Sequence, residues 1–288
     1  MKSISNALRS FYYYLSPAGR KLLRRWFFFP VDFWEYIVGA RKPLVPPKGM
    51  IFVGRGDFEK VGDSLLALMQ STCPIKPHYH VLDVGCGIGR LARPLTNFLD
   101  SNGSYSGFDV EEEGISWCKS QYKHFPNFRF DHVPLYNDLY NNNQALQKPE
   151  EFNFPYAQEK FDLVILTSVF THMMPDAFEQ YVSEISRVLK PGGTCFATAY
   201  IVDDDIEKNH HKKLYQFFPY SHGRVYLHNL LVPSANVAYP FDYFQSVFAQ
   251  SGLMLCTIKR GWWFKHAAAD GEHFQDTLIF QKPESVQS

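Results

Sequence analysis

From residue 80 onward the chain alternates between short runs of apolar, β-branched and aromatic residues and longer stretches with apolar positions three and four apart. The short runs, HVLDVG (80–85), YSGFDV (105–110), FRFDHV (128–133), FDLVILT (161–167), TCFATAYI (194–201), LMLCTIK (253–259) and DTLIFQ (276–281), predict strands. The stretches 58–70, 91–99, 114–124, 176–189 and 241–250 predict helices. Apolar strands alternating with helices predict an α/β fold, a Rossmann-like parallel sheet with helices on both faces. The last two strands are joined by GWWFKHAAADGEHFQ, which has no helical period, so the final strand is expected to run antiparallel. The expectation is a seven-stranded, mostly parallel sheet with one reversed strand.

Two stretches break the alternation. Residues 1–49 form an aromatic, basic extension expected to be helical, and 202–240 form an insertion that is polar at its start and aromatic and histidine-rich later. Neither repeats nor low-complexity linkers separate them, so residues 50–288 are expected to form one domain, with the insertion covering the substrate side.

Charge changes this picture only locally. The 29 Lys and Arg balance the 29 Asp and Glu, which argues against a surface built throughout for nucleic acid. Before Gly49, however, nine basic residues face only Asp32 and Glu35. Five scattered cysteines without a CxxC pair suggest neither a disulfide framework nor a zinc site. Arg20, Lys21, Arg24 and Arg25 interrupt any signal-peptide core, and no run approaches the ~20 apolar residues of a membrane span. A cytoplasmic protein is expected, with attachment to the inner face of a membrane as a further option.

The chemistry is concentrated in VLDVGCGIGR (81–90). Gly85, Gly87 and Gly89 follow a strand and precede a helix, where an open α/β sheet binds ligands. The dinucleotide fingerprint GxGxxG or GxGxxA requires a small residue where this chain has Arg90, which weakens a nucleotide-dependent oxidoreductase. Asp109, twenty residues beyond Gly89 at the end of the second strand, is placed to accept ribose hydroxyls. Turn-forming glycines and capping aspartates are the structural alternatives.

Over roughly 81–200 the sequence resembles the class I S-adenosylmethionine-dependent methyltransferases. VLDVGCGIGR is similar to the family's first motif and YSGFDVE to its second. FDLVILTSVFTHM is similar to its fourth strand and following loop, and RVLKPGGTCFAT to its fifth-strand motif. The resemblance implies S-adenosyl-L-methionine as cofactor. Asp83 would orient its methionine end directly or through water, Gly85, Gly87 and Gly89 would approach methionine and ribose, and Asp109 would hold the ribose hydroxyls. Val110 and Ser168 join the implied cofactor contacts. The family's adenine slot falls near Val133 or Pro134, and Asp131, His132 or Asn137 are the alternatives.

Methyl transfer from a sulfonium is an in-line displacement that needs a base only for a protonated acceptor. His172 is the candidate base for a hydroxyl; its alternative is to cap the next helix or pack beneath the cofactor. TSVFTH lacks the N-P-P-Y-like run of nucleobase N-methylating enzymes. That leaves oxygen, a different nitrogen, carbon or sulfur as the acceptor atom, and a small-molecule, lipid or saccharide acceptor methylated at oxygen is the main reading. RNA methylation and a non-catalytic cofactor-binding sensor or scaffold stand as alternatives. His210, His211, Tyr215, Tyr220 and His222 in the insertion are expected near the acceptor, with solvated histidines favoured over a metal site.

Three further features carry more than one reading. Arg55 and Asp57 are either cofactor contacts or, for Asp57, a helix cap. Trp262 and Trp263 line the substrate site or pack in the core. The extension, at 17–36, is a lid with its aromatics on the domain and its arginines in solvent, an interfacial membrane helix, or a phosphate-contacting RNA arm.

Overall fold

A computed structural model describes residues 17–51, 56–135, 147–204, 218–264 and 273–284. Arg55, Asn137, His210, His211 and Tyr215 lie outside the described residues. In the main sheet the strands are β1 (His80–Val84), β2 (Ser104–Asp109), β3 (Phe128–His132), β4 (Phe161–Leu166) and β5 (Leu189–Ala199). Helices among them are α2 (Phe58–Thr72), α3 (Ala92–Phe98), α4 (Glu112–Gln121) and α5 (Pro175–Val188); α1 (Pro17–Ile37) precedes them. The insertion adds β6 (Ile201–Val202), β7 (Tyr220–His222), β8 (Val225–Leu227) and β9 (Val237–Pro240). Helix α6 (Phe241–Gln250), β10 (Met254–Lys259) and β11 (Asp276–Gln281) close the chain.

The seven-stranded sheet has the order β3-β2-β1-β4-β5-β11-β10. Pairs among β1 to β5 are parallel, while β11 runs antiparallel to both β5 and β10, as expected from the connection that lacks a helix. Strand alternation divides the interior in two. Leu82, Val84, Phe108, Val164 and Leu166 pack with Phe178, Val182 and Ile185 of α5 and Phe244 and Phe248 of α6. Val81, Tyr105, Phe130, Leu163 and Ile165 pack on the opposite face with Met69 of α2, Leu95 of α3 and Ile115 of α4. The result is a three-layer sandwich whose ligand-binding edge lies at the carboxyl ends of the parallel strands.

Two expectations change. β5 begins at Leu189, expected as the last residue of a helix, and not at Thr194, with a register irregularity between Phe161 and Leu163 and with the Gly192 amide donating to the Lys282 carbonyl. The insertion is more than a loop: β6 to β9 form a second, four-stranded sheet in the order β6-β9-β8-β7. This sheet has its own core of Tyr200, Val202, Phe218, Ala238 and Trp263. Trp263 is therefore a packing residue, its indole N–H donating to Asp276 at 2.8 Å, while half-buried Trp262 packs its ring on Phe274.

Asp276 is the joint between the two sheets. Its buried carboxylate accepts from the Ile201 amide, the Gly261 amide and Trp263, each at 2.8 Å, with Arg260 alongside. Burial pushes its pKa up against the pull of Arg260 and these donors. Removing the acceptor strands three buried donors, so Asp276→Ala should cost about 3 kcal/mol or more. Asp276→Asn, which keeps one acceptor, should cost less. Denaturant unfolding with an unchanged m-value checks this, and equal losses for both variants would contradict it.

Candidate functional site

The glycine turn follows β1 because no side chain can occupy its backbone conformation cheaply. Gly85, Gly87 and Gly89 have φ values of 73°, 56° and 76°, in the left-handed region. A Cβ on Gly85 would lie 2.5 Å from Val169 Cγ2, so the turn after β1 and the loop after β4 close on one another there. The amides of Gly85 and Cys86 both donate to the Phe108 carbonyl, tying the turn to β2.

Asp109 completes that tie. One carboxylate oxygen accepts from the Gly87 amide and the other from the Glu111 amide, both at 2.8 Å. Burial raises its pKa, opposed mainly by those two amides. Each carboxylate oxygen has more than one acceptor direction, so the same group that shapes the turn can accept from a ligand diol. Glu111 in turn caps α4 by accepting from the Gly114 amide at 3.0 Å.

Asp83 lies directly across from Gly107 in the β1–β2 register and is 1% exposed. Oδ2 accepts from the Tyr105 hydroxyl at 2.7 Å, while Oδ1 is buried without a hydrogen-bond partner. Burial lifts its pKa to about 7 despite the Tyr105 bond, with Asp109 adding to the rise. An orphaned carboxylate oxygen beneath a glycine turn fits a ligand with a cationic end. Buried as it is, Asp83 acts on such a cation as a fixed negative charge or through an enclosed water. Sequence reading missed Tyr105, although its position four residues before Asp109 puts it on the same strand face.

On β3, His132 lies opposite Asp109 and donates from Nε2 to the Val110 carbonyl at 3.3 Å. Asp131 points to the other face of the sheet, where it accepts from the Tyr156 hydroxyl at 3.2 Å. The Val133 amide donates to the Asp109 carbonyl. Asp83, Asp109 and His132 are thus gathered on one side; Asp131 is not, and the Val110 side chain packs with the Phe108 face. Asp57 is the N-cap of α2, its carboxylate accepting from the Lys60 amide at 2.9 Å and its pKa lowered chiefly by that bond.

The loop after β4 forms the second half of the site. Ser168 is exposed and has φ 61°, a strained conformation for a side-chain-bearing residue. Its amide donates to Thr198 Oγ1 at 2.8 Å and its hydroxyl to Gln275 Oε1 at 2.9 Å. Thr198 donates to the same Gln275 oxygen at 2.7 Å. Thr198 and Gln275 were not legible beforehand: only the antiparallel return of β11 carries position 275 to the end of β4. His172 ends the turn that follows, with Nδ1 donating to the Ser234 carbonyl at 2.9 Å. Because a carbonyl only accepts, the neutral ring carries its lone pair on Nε2. Tyr239 of β9 donates to the carbonyls of Phe170 and Met173, so the small sheet holds this turn in place. Tyr220 and His222 lie exposed on β7. Among the described residues no group of three or more His, Cys, Asp or Glu forms a metal site.

The Methyltransferase domain family model matches residues 82–197. A tRNA N(3)-cytidine methyltransferase of Mus musculus is 27% identical over 42% of this chain and 29% of its own length. The sterol 24-C-methyltransferase of Schizosaccharomyces pombe is 30% identical over 47% and 31%. The phthiotriol/phenolphthiotriol dimycocerosates methyltransferase of Mycobacterium tuberculosis is 33% identical over 39% and 34%. The matches therefore span about a third of these relatives. A solved structure from Pyrococcus horikoshii OT3 shares the fold, with a TM-score of 0.54, 15% identity and coverage of 80% of this chain and 93% of that one.

Asp83 generates a prediction with a defined sign. Its folded pKa lies above the unfolded value, so its favourable contribution to stability is complete below pH ~4 and is lost as the pH rises to about 7. Asp83→Asn should remove this slope and stabilise the ligand-free protein at pH 8 by up to about 4 kcal/mol. Tyr105→Phe, which removes the one donor to Asp83, should destabilise by about 1–3 kcal/mol. Chemical unfolding at several pH values tests both; an unchanged slope in Asp83→Asn would refute the assignment.

Proposed function

We propose, on the premise that residues 82–197 form a class I S-adenosylmethionine-dependent methyltransferase domain, that this protein methylates a hydroxyl of a small-molecule, lipid or saccharide acceptor. One observation carries the reading: the Asp109-clamped glycine turn and the Ser168, Thr198 and His172 rim meet at the carboxyl ends of adjacent strands, with Gly85 against Val169. When bound, S-adenosyl-L-methionine supplies an electrophilic methyl on a positively charged sulfur. Asp109 would accept the ribose hydroxyls, and Asp83 would balance charge at the methionine end. Val110 and His132 flank the position for adenine. The strained Ser168 lies at the boundary between cofactor and acceptor.

The acceptor hydroxyl would be presented beside this rim, with Ser168, Thr198 and Gln275 as its polar wall. As the oxygen–carbon bond forms and the carbon–sulfur bond breaks, His172 Nε2 would take the hydroxyl proton while Ser234 holds the opposite ring nitrogen. Most of the rate gain would come from alignment and exclusion of water, with the base adding a further ~10²–10⁴-fold. Four described cations of the N-terminal segment are engaged within the protein: Lys21 with Glu111, Arg25 with Glu113, Arg41 with Asp32, Lys48 with Glu35. They do not form the free basic stripe of an RNA footprint, which favours the non-nucleic-acid acceptor.

Calorimetric titration with S-adenosylmethionine, S-adenosylhomocysteine and NAD should give micromolar binding of the first two and none of the third. Asp109→Ala should weaken both sulfur ligands about a hundredfold while the protein stays folded. Unaltered affinity in that variant would remove Asp109 from the ribose site. At pH 7 the cofactor's positive charge should drive a proton off Asp83, seen as a buffer-dependent binding enthalpy that disappears in Asp83→Asn.

In an acceptor screen, turnover of a hydroxyl-bearing lipid or saccharide should fall ~10²–10⁴-fold in His172→Phe with cofactor affinity retained, and the acid limb of the pH–rate profile should vanish. Turnover of tRNA alone would overturn the acceptor class, and loss of cofactor binding in His172→Phe would mark the residue as a packing element.

A further inference from the structure

Helix α1 is amphipathic in the reverse of the usual sense. Its polar stripe, with Lys21, Arg25, Asp32 and Glu35, faces the rest of the chain. Lys21 and Arg25 pair with Glu111 and Glu113 at the start of α4, and Asp32 accepts from the amides of Lys48 and Gly49 at 2.7 and 2.8 Å. Its apolar stripe faces outward. Leu22, Trp26, Phe29, Phe33 and Ile37 recur at intervals of three and four, and all are exposed, Trp26 by 70%. Beside them Phe27 is 74% and Trp34 66% exposed. The expectation of a lid with aromatics packed on the domain is thereby corrected: the carboxylates at the head of α4 attract the cations inward, and the aromatics are left outside.

We infer that α1 is a membrane-docking helix that lies in the plane of a lipid surface and is held there by its aromatic face. Three observations select lipid as the occupant. At 100° per residue the exposed apolar residues cover an arc of about 200° of the helix circumference. A second copy or another folded protein covers a stripe nearer 100°, whereas acyl chains and headgroups close around all of it. The outward stripe is rich in Trp, Tyr and Phe, the side chains that settle at the boundary between hydrocarbon and headgroup. No described helix is long and apolar enough to cross a membrane, and the charged stripe of α1 stays on the protein, which leaves the surface-parallel orientation.

Because Lys21 and Arg25 are committed to Glu111 and Glu113, attachment would rest on apolar burial and not on attraction to anionic lipid. The inference does not depend on methyl transfer.

Vesicle flotation of the full chain tests it, using phosphatidylcholine alone and phosphatidylcholine with phosphatidylserine, each at low and high salt. The protein should float with both compositions at both salt concentrations. Trp26→Ser/Phe29→Ser/Phe33→Ser should partition about a hundredfold less or lower still, with unchanged thermal unfolding. Flotation only with the anionic vesicles and its loss in salt would overturn the apolar mechanism. A variant that floats like the wild type would overturn the assignment to α1. Failure to float would overturn the proposal outright, and sedimentation would then show whether a second copy covers the face. Cofactor titration of the same sample keeps this result separate from the methyltransferase reading.

Discussion

The arrangement of the site depends on one carboxylate. Asp109 takes the amide of Gly87 on one oxygen and that of Glu111 on the other, and so fixes the turn after β1 to the turn after β2. These two bonds add to those of the Gly85 and Cys86 amides on the Phe108 carbonyl, and they fix Gly87, which sits in a left-handed conformation, to the start of the next helix. The fixed Glu111 then caps α4 with its own side chain and receives Lys21 from α1. A single buried anion thereby sets the shape of the glycine turn, the start of a helix and the anchorage of the N-terminal segment. Its desolvation is offset by the two amide bonds and remains visible as a raised pKa.

Asp83 shows the complementary case of a polar group that the fold leaves incompletely satisfied. Tyr105 meets one oxygen, and nothing in the chain meets the other. A protein selected for stability alone would place an apolar residue or an amide between Val81 and Ile165. An anion retained there costs stability above the ordinary carboxylate range, and the cost is recovered when a cation binds nearby. On the proposed reading this would give the cofactor's charge a role in affinity even though the carboxylate does not meet solvent.

The sheet was legible because parallel strands buried on both faces are continuous apolar runs, and the helices between them have a clear period. Gly85, Gly87 and Gly89 were legible because the left-handed backbone of the turn demands them, Asp109 because it ends the next strand at a fixed spacing, and Asp83 through the resemblance to the methyltransferase motif. Three things were not. The small sheet of β6 to β9 is built from strands of two to four residues, too short for alternation to register. The Ser168, Thr198 and Gln275 cluster joins positions over a hundred residues apart through sheet register alone. The orientation of α1 was hidden because an amphipathic pattern specifies two faces and not which one meets the domain. Glu111 and Glu113, far away in sequence, decide that.

The division of the chain also explains why its acceptor is harder to read than its cofactor. The matched region, 82–197, holds the glycine turn, Asp83, Asp109 and the loop through His172; on the proposed reading the turn and the two aspartates serve a ligand of fixed chemistry. Thr198, Ser234, Tyr239, Asp276 and Gln275 lie beyond it. They shape the side of the site that must differ from one acceptor to another. Tyr239 and Ser234 hold the His172 turn from the small sheet, and Asp276 joins that sheet to β11. A change in the insertion is therefore transmitted to the candidate base and the acceptor wall without disturbing the Asp109 clamp. On the proposed reading, the acceptor wall can change on this scaffold while the Asp109 clamp keeps its geometry.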